Sequence, residues 1–111
     1  MSDKKFPSII VFDVNETLLD ITTLEPLFHR VFGDRQVLRE WFSALVLYSQ
    51  TMTLSGLYTP FGELGVGALR MTANIHQVDI GGDDIAELKK RMSTMPAHPD
   101  AIPALTRLRD A

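Results

Sequence analysis

Cysteine is missing altogether from this chain of 111 residues, so neither a disulfide framework nor a thiolate metal centre is open to it. No apolar run approaches the roughly 18 residues that a membrane-spanning helix needs. Charge of one sign is scarce as well. Eleven basic residues against 14 acidic ones leave a formal net charge of −3, which offers no field for nucleic acid or an anionic lipid surface. At the N-terminus, Met1-Ser2-Asp3-Lys4-Lys5 runs directly into an apolar segment, and nothing there resembles a signal peptide. These absences predict a soluble cytoplasmic protein with no nucleic-acid and no membrane partner. What is present is apolar content of 45%, enough for a core and unlike a disordered chain. The length gives room for one domain or for part of a larger one.

The most informative stretch lies close to the start. Ile9-Ile10-Val11-Phe12 reads as a short strand buried on both faces, and the run stops at the carboxylate of Asp13. In an open α/β sheet, ligands sit beyond the carboxyl ends of parallel strands, so Asp13 would face a site. The polar turn Val14-Asn15-Glu16-Thr17 follows, with backbone N–H groups that can converge on an anion. An ordinary strand ending in a solvated turn is the alternative account of the same residues.

Strand, Asp13, Thr17 four residues on, Leu18 next and Asp20 seven after the first aspartate together resemble the first motif of the haloacid dehalogenase-like hydrolases. The resemblance implies that Asp13 is a carboxylate nucleophile and that Thr17 holds its loop. In the phosphatases of that superfamily the residue two after the nucleophile is a second aspartate acting as general acid. Here it is Asn15, which cannot deliver a proton. Expulsion of halide needs no proton, so the change suits dehalogenation better. The L-2-haloacid dehalogenases usually carry an aromatic residue and then glycine at these two places, where this chain has Asn15 and Glu16.

Helical periodicity dominates the rest. Thr22 with Glu25 fits a capping box, Leu24, Leu27, Phe28 and Val31 form an apolar face, and Gly33 suits a C-terminal cap. His29 reads as a boundary residue. Asp34 can cap a second helix from about Arg35 to Met52, with an apolar stripe of Leu38, Trp41, Phe42, Leu45 and Val46. Arg35, Arg39, Glu40, Ser43 and Gln50 occupy its other side. By resemblance, Arg39 is the arginine that a helical cap projects toward the substrate; a surface ion pair is its other reading. Thr59-Pro60 opens a third helix, to about His76, with Phe61, Leu64, Leu69, Met71 and Ile75 as apolar contacts. Gly62, Gly65 and Gly67 inside it lack the preceding strand and following lysine of a phosphate loop, and close helix packing explains them better. A fourth helix spans Asp84 to Met92, with an acidic start and a basic end, Lys89-Lys90-Arg91, that suit its dipole. Asp83 and Asp84 lack the further oxygen ligands of a calcium loop. Two prolines stiffen Met95-Pro96-Ala97-His98-Pro99-Asp100 before a last helix, Asp100 to Arg109, with Ile102, Leu105 and Leu108.

The expected fold is α/β: a haloacid dehalogenase-like Rossmannoid core, represented by its first strand and one core helix, with an α-helical cap inserted after the first motif. Residues 1–20 would be the strand and motif, 21–95 the cap and 96–111 the hinge and return helix. The superfamily's later motifs, a strand ending in Ser or Thr, a lysine and an acidic cluster, have no counterpart here. The resemblance therefore covers about the first half of a dehalogenase, and the chain is expected to be a fragment without activity of its own. It implies a small 2-haloacid substrate, attacked by Asp13 and held by Val14, Asn15, Thr17 and Arg39. No metal and no cofactor are implied, and the resemblance leaves room for a homodimer through the helical cap. A magnesium-dependent phosphatase of the same superfamily and a non-catalytic helical interaction module are the alternatives.

Overall fold

The computed structural model describes residues 7–111. Met1-Ser2-Asp3-Lys4-Lys5, and with it the expectation that no signal peptide is present, lies outside the described residues. The chain is mostly helical, with α1 at Glu25–Phe32, α2 at Val37–Leu54, α3 at Phe61–Ile75, α4 at Gly82–Ser93 and α5 at Ala101–Asp110. A 3-10 turn, Ile21–Leu24, leads into α1. None of the helices in the described residues is long and apolar enough to cross a membrane. Two compact units result: a bipartite unit of the residues up to Ile21 with Pro96–Ala111, and a helical unit of Thr22–Met95.

The helical unit is built round Trp41. The apolar residues of α1 and α2 recur at helical spacing, and Leu27, Phe28, Val37, Leu38, Trp41 and Leu45 are all buried. The Phe28 and Trp41 rings meet at 5.3 Å with a 48° tilt, a geometry that suits aromatic quadrupoles. Burying an indole requires a partner for its N–H, and Trp41 Nε1 donates to the Gly65 carbonyl at 2.9 Å. That contact is open because residue 65 has no side chain. A Cβ there would lie 2.8 Å from Met92 Sδ and 3.5 Å from Trp41 Cζ2, whereas one at Gly62 or Gly67 would meet nothing within 4 Å. Close helix packing thus accounts for one glycine of the three.

Several helix boundaries differ from the sequence expectation. α1 starts later than the Thr22–Glu25 pattern implies: the 3-10 turn takes up Thr22 and Thr23, and Leu24 stands at the N-cap with no side-chain cap bond of its own. At the other end Gly33 does close the helix, at φ +73°, where a side chain would be strained. Asp34 Oδ1 accepts from the Gln36 backbone N–H at 2.8 Å and so begins the turn that leads into α2. Pro60 is the N-cap of α3, not its first helical residue, and the Thr59 hydroxyl donates back to the Leu57 carbonyl. Met71 and Ile75 are exposed; Gly65, Ala68, Leu69, Thr72 and Ala73 form the buried face of α3 instead. Small residues allow α2 and α3 to approach closely, which displaces the larger side chains outward.

The principal correction concerns the strand. No strand is present among the described residues, and Ile9 and Val11 are 80% and 89% exposed. A strand forms only where a neighbour takes its N–H and C=O groups, and none of the described residues offers one to this stretch. In α5, Ile102 and Leu108 are likewise exposed, whereas Ala101 is buried.

A charge network ties α1 to α4. Arg30 Nη1 lies 2.8 Å from Asp84 Oδ1 while its Nη2 reaches Glu87 Oε2. Arg91 bridges Glu87 Oε1 at 3.1 Å and donates to the Thr23 carbonyl at 3.0 Å. The Gly81 backbone N–H, donated to Asp84 Oδ2, and then Arg30 hold the Asp84 carboxyl below its ordinary range; the Arg30 guanidinium does the same for Glu87.

Two predictions follow from this packing. Gly65→Val should cost about 1–3 kcal/mol through overpacking, whereas Gly67→Ala should stabilise by up to about 1 kcal/mol through helix propensity. Urea denaturation of both variants checks the opposite signs. Because both carboxyl groups titrate lower in the folded chain, their contribution is complete above the ordinary carboxylate range of about pH 4 and fades as acid protonates them. Thermal midpoints taken from pH 6 down to pH 2 should therefore fall less steeply in Arg30→Met than in the unsubstituted chain.

Candidate active site

Asp13 stands where the apolar run enters a tight turn of the bipartite unit. The Val14 carbonyl accepts from the Leu18 and Leu19 backbone N–H groups, at 2.9 and 3.0 Å, so residues 14–19 close on themselves. Within this closure Glu16 takes the left-handed region, at φ +69°. A side chain other than glycine or asparagine is strained there, at about 1–3 kcal/mol. The turn reverses the chain and brings Thr17 back over Asp13, whose Oδ2 accepts from the Thr17 hydroxyl at 2.6 Å. One carboxylate oxygen is thereby tethered. The rotation of the group is fixed, and the other oxygen is presented from an exposed residue.

A second segment holds the turn from outside. The Asp20 N–H donates to the Pro96 carbonyl at 2.8 Å, and the His98 N–H donates to the Leu18 carbonyl at 2.8 Å. Leu19 and Ala97 form an isolated antiparallel bridge between those two bonds. The His98 imidazole Nε2 lies 2.7 Å from the Glu16 carbonyl oxygen; since a carbonyl can only accept, Nε2 carries the proton.

Of the residues that the sequence singles out, Asp13, Val14, Asn15 and Thr17 share this turn. Val14 contributes its carbonyl to the closure, and Asn15 is half-buried and bridged to Leu19. Arg39 belongs to the helical unit, exposed on the first turn of α2, the helix that also carries exposed Glu40, Ser43 and Gln50, whereas Arg35 lies in the turn before it. Sequence reasoning missed Glu16 and His98. No local signal marks glutamate for positive φ, and a histidine between two prolines gives no hint of a carbonyl that precedes it by most of the chain. Among the described residues, no three His, Asp or Glu side chains cluster as they would round a metal ion.

No protein-family model matches the chain, and no curated protein does. Its fold, in contrast, is found in solved structures. The L-2-haloacid dehalogenase from Xanthobacter autotrophicus superposes with a TM-score of 0.76 at 21% identity, covering 86% of this chain and 40% of that one. The L-2-haloacid dehalogenase RSc1362 gives 0.76 at 26% identity, over 86% of this chain and 44% of that one. The Xanthobacter autotrophicus enzyme with chloropropionic acid covalently bound matches at 0.75. The chain thus has the fold of the N-terminal portion of these dehalogenases and spans less than half of their length.

If the turn depends on the backbone at residue 16, Glu16→Val should open it and Glu16→Asn should not, because asparagine tolerates the left-handed region. Hydrogen exchange at the Leu18 and Leu19 amides should quicken about tenfold in the valine variant, a local loss of about 1.4 kcal/mol. Equal exchange in the two variants would place the constraint elsewhere.

Proposed function

We propose that this chain is the nucleophile-bearing portion of a hydrolase that cleaves the carbon–halogen bond of a small 2-haloalkanoate. The observation that carries the reading is the Thr17–Asp13 hydrogen bond in a chain with the fold of haloacid dehalogenases. A carboxylate tethered through Oδ2 offers its Oδ1 lone pair in a fixed direction, which is what displacement at carbon demands.

In this reading Asp13 Oδ1 bonds to C2 of the substrate as the carbon–halogen bond breaks, and halide departs with the bonding pair. The product is an ester of Asp13. Water then attacks the ester carbonyl, releasing a 2-hydroxy acid and a proton and restoring the carboxylate. A structural neighbour that holds chloropropionic acid covalently bound supports such a two-step route. The Val14 and Asn15 backbone amides are assigned to the substrate or leaving group, and Arg39 to the charge that develops on it. Asn15 needs no proton to give, because halide leaves as an anion. The reading involves no metal. Activation of the water and binding of the substrate carboxylate are assigned to the core that the structural neighbours carry beyond the matched region. The cytoplasm is the compartment proposed for it.

The experiment uses a polypeptide in which this chain is followed by that further core segment. Halide release from 2-chloropropionate should be measurable, and Asp13→Asn should abolish it, since an amide is a poor nucleophile. Arg39→Ala should lower it at least tenfold, about 1.4 kcal/mol of transition-state stabilisation, with little change in melting. Full halide release in Asp13→Asn, or magnesium-dependent hydrolysis of phosphate esters in place of dehalogenation, would overturn the reading.

A further inference from the structure

We infer that His98 is a positioning residue for Asp13, acting through the turn that bears it. The inference rests on the reading of Asp13 as nucleophile. Its geometry lies wholly within the bipartite unit. Three polar groups of His98 are engaged: its N–H donates to the Leu18 carbonyl at 2.8 Å, and its own carbonyl accepts from the Ala101 N–H, at the start of α5, at 3.0 Å. Its Nε2–H donates to the Glu16 carbonyl at 2.7 Å. His98 is therefore anchored to a helix on one side and grips the turn at two carbonyls on the other.

Those two carbonyls flank Thr17. The Glu16 carbonyl and the Thr17 N–H share one rigid peptide plane, so a bond that fixes the carbonyl also fixes the plane from which the Thr17 side chain starts. The Leu18 carbonyl, held by the His98 N–H, fixes the chain two residues further on. Between the two, the Thr17 hydroxyl has its direction set, and with it the 2.6 Å bond to Asp13 Oδ2. The same clamp answers the strain at Glu16, since a hydrogen bond to its carbonyl offsets part of the cost of φ +69°. Filling the half-buried space round residue 98 would need only bulk. A donor aimed at one carbonyl is a narrower requirement, and it separates His98 from an ordinary packing residue.

The test compares His98→Phe, which keeps bulk and loses the donor, with His98→Gln, whose side-chain amide can place an N–H near the position of Nε2. In the full chain, nitrogen-15 spectra of the imidazole should show the Nε2–H tautomer. His98→Phe should quicken exchange at the Leu18 and Leu19 amides at least tenfold while Leu45 and Leu69 stay protected, and His98→Gln should restore most of the loss. Unchanged exchange in His98→Phe, or an equal loss in both variants, would overturn the inference. In the polypeptide extended by the further core segment, His98→Phe should lower kcat for 2-chloropropionate at least tenfold with KM within twofold, and His98→Gln should recover part of it. A raised KM at constant kcat would overturn it too. Absence of halide release from the unsubstituted extended protein would refute the dehalogenase reading itself, whereas the exchange measurement would still decide whether His98 holds the turn.

Discussion

The pairing of residues 18–20 with residues 96–98 is the constraint on which the rest depends. Backbone hydrogen bonds join two short segments that have the whole of Thr22–Met95 between them in sequence. Closing so long a loop costs entropy, but the cost rises slowly, by about 0.6 kcal/mol for each doubling of length. A large helical segment can therefore be carried between these two paired segments at little more cost than a small one, provided that it folds by itself. The turn beneath Asp13 inherits its definition from that closure. Without the second segment, the carbonyls of Glu16 and Leu18 would lose the partners that hold them.

Inside the helical unit the corresponding constraint is the indole of Trp41. A buried N–H must be satisfied, and the acceptor it finds is a helix carbonyl that only a residue without a side chain leaves accessible. Small residues on α3 follow from that approach, and the outward position of Met71 and Ile75 follows from the small residues. The ion pairs that Arg30 of α1 makes with Asp84 and Glu87, and the pair of Arg91 with Glu87 within α4, are peripheral by comparison. They lie on helix surfaces that are partly wet, where such pairs add modestly to stability.

Periodicity made the helices legible because each buries its own stripe: Leu27 with Phe28, and Leu38 with Trp41 and Leu45, are spaced for one face whatever the neighbours are. Boundaries were less legible. The Thr22–Glu25 pair fits a capping box, yet the 3-10 turn over the same residues moves the start of α1 to Glu25. The strand at Ile9–Phe12 failed for a different reason. Apolar, β-branched residues state a preference, whereas a strand is made by its neighbours, and preference alone leaves those side chains exposed. Within the candidate site, the family resemblance is what singles out Asp13 with Thr17, and the contact between them is local, four residues apart. The hydrogen bond from His98 to Glu16 joins residues remote in sequence, and Glu16 adopts a backbone conformation that its residue type does not announce.

Trp41 is the single tryptophan of the chain, and it is fully buried against Phe28 with its N–H bonded to Gly65. Indole fluorescence is consequently an optical gauge of the helical unit that buries it. An emission-monitored melt would register the collapse of that unit. Agreement between that curve and one followed at the Leu18 amide would mean that the two units unfold as a single cooperative system; separation would give each unit its own transition.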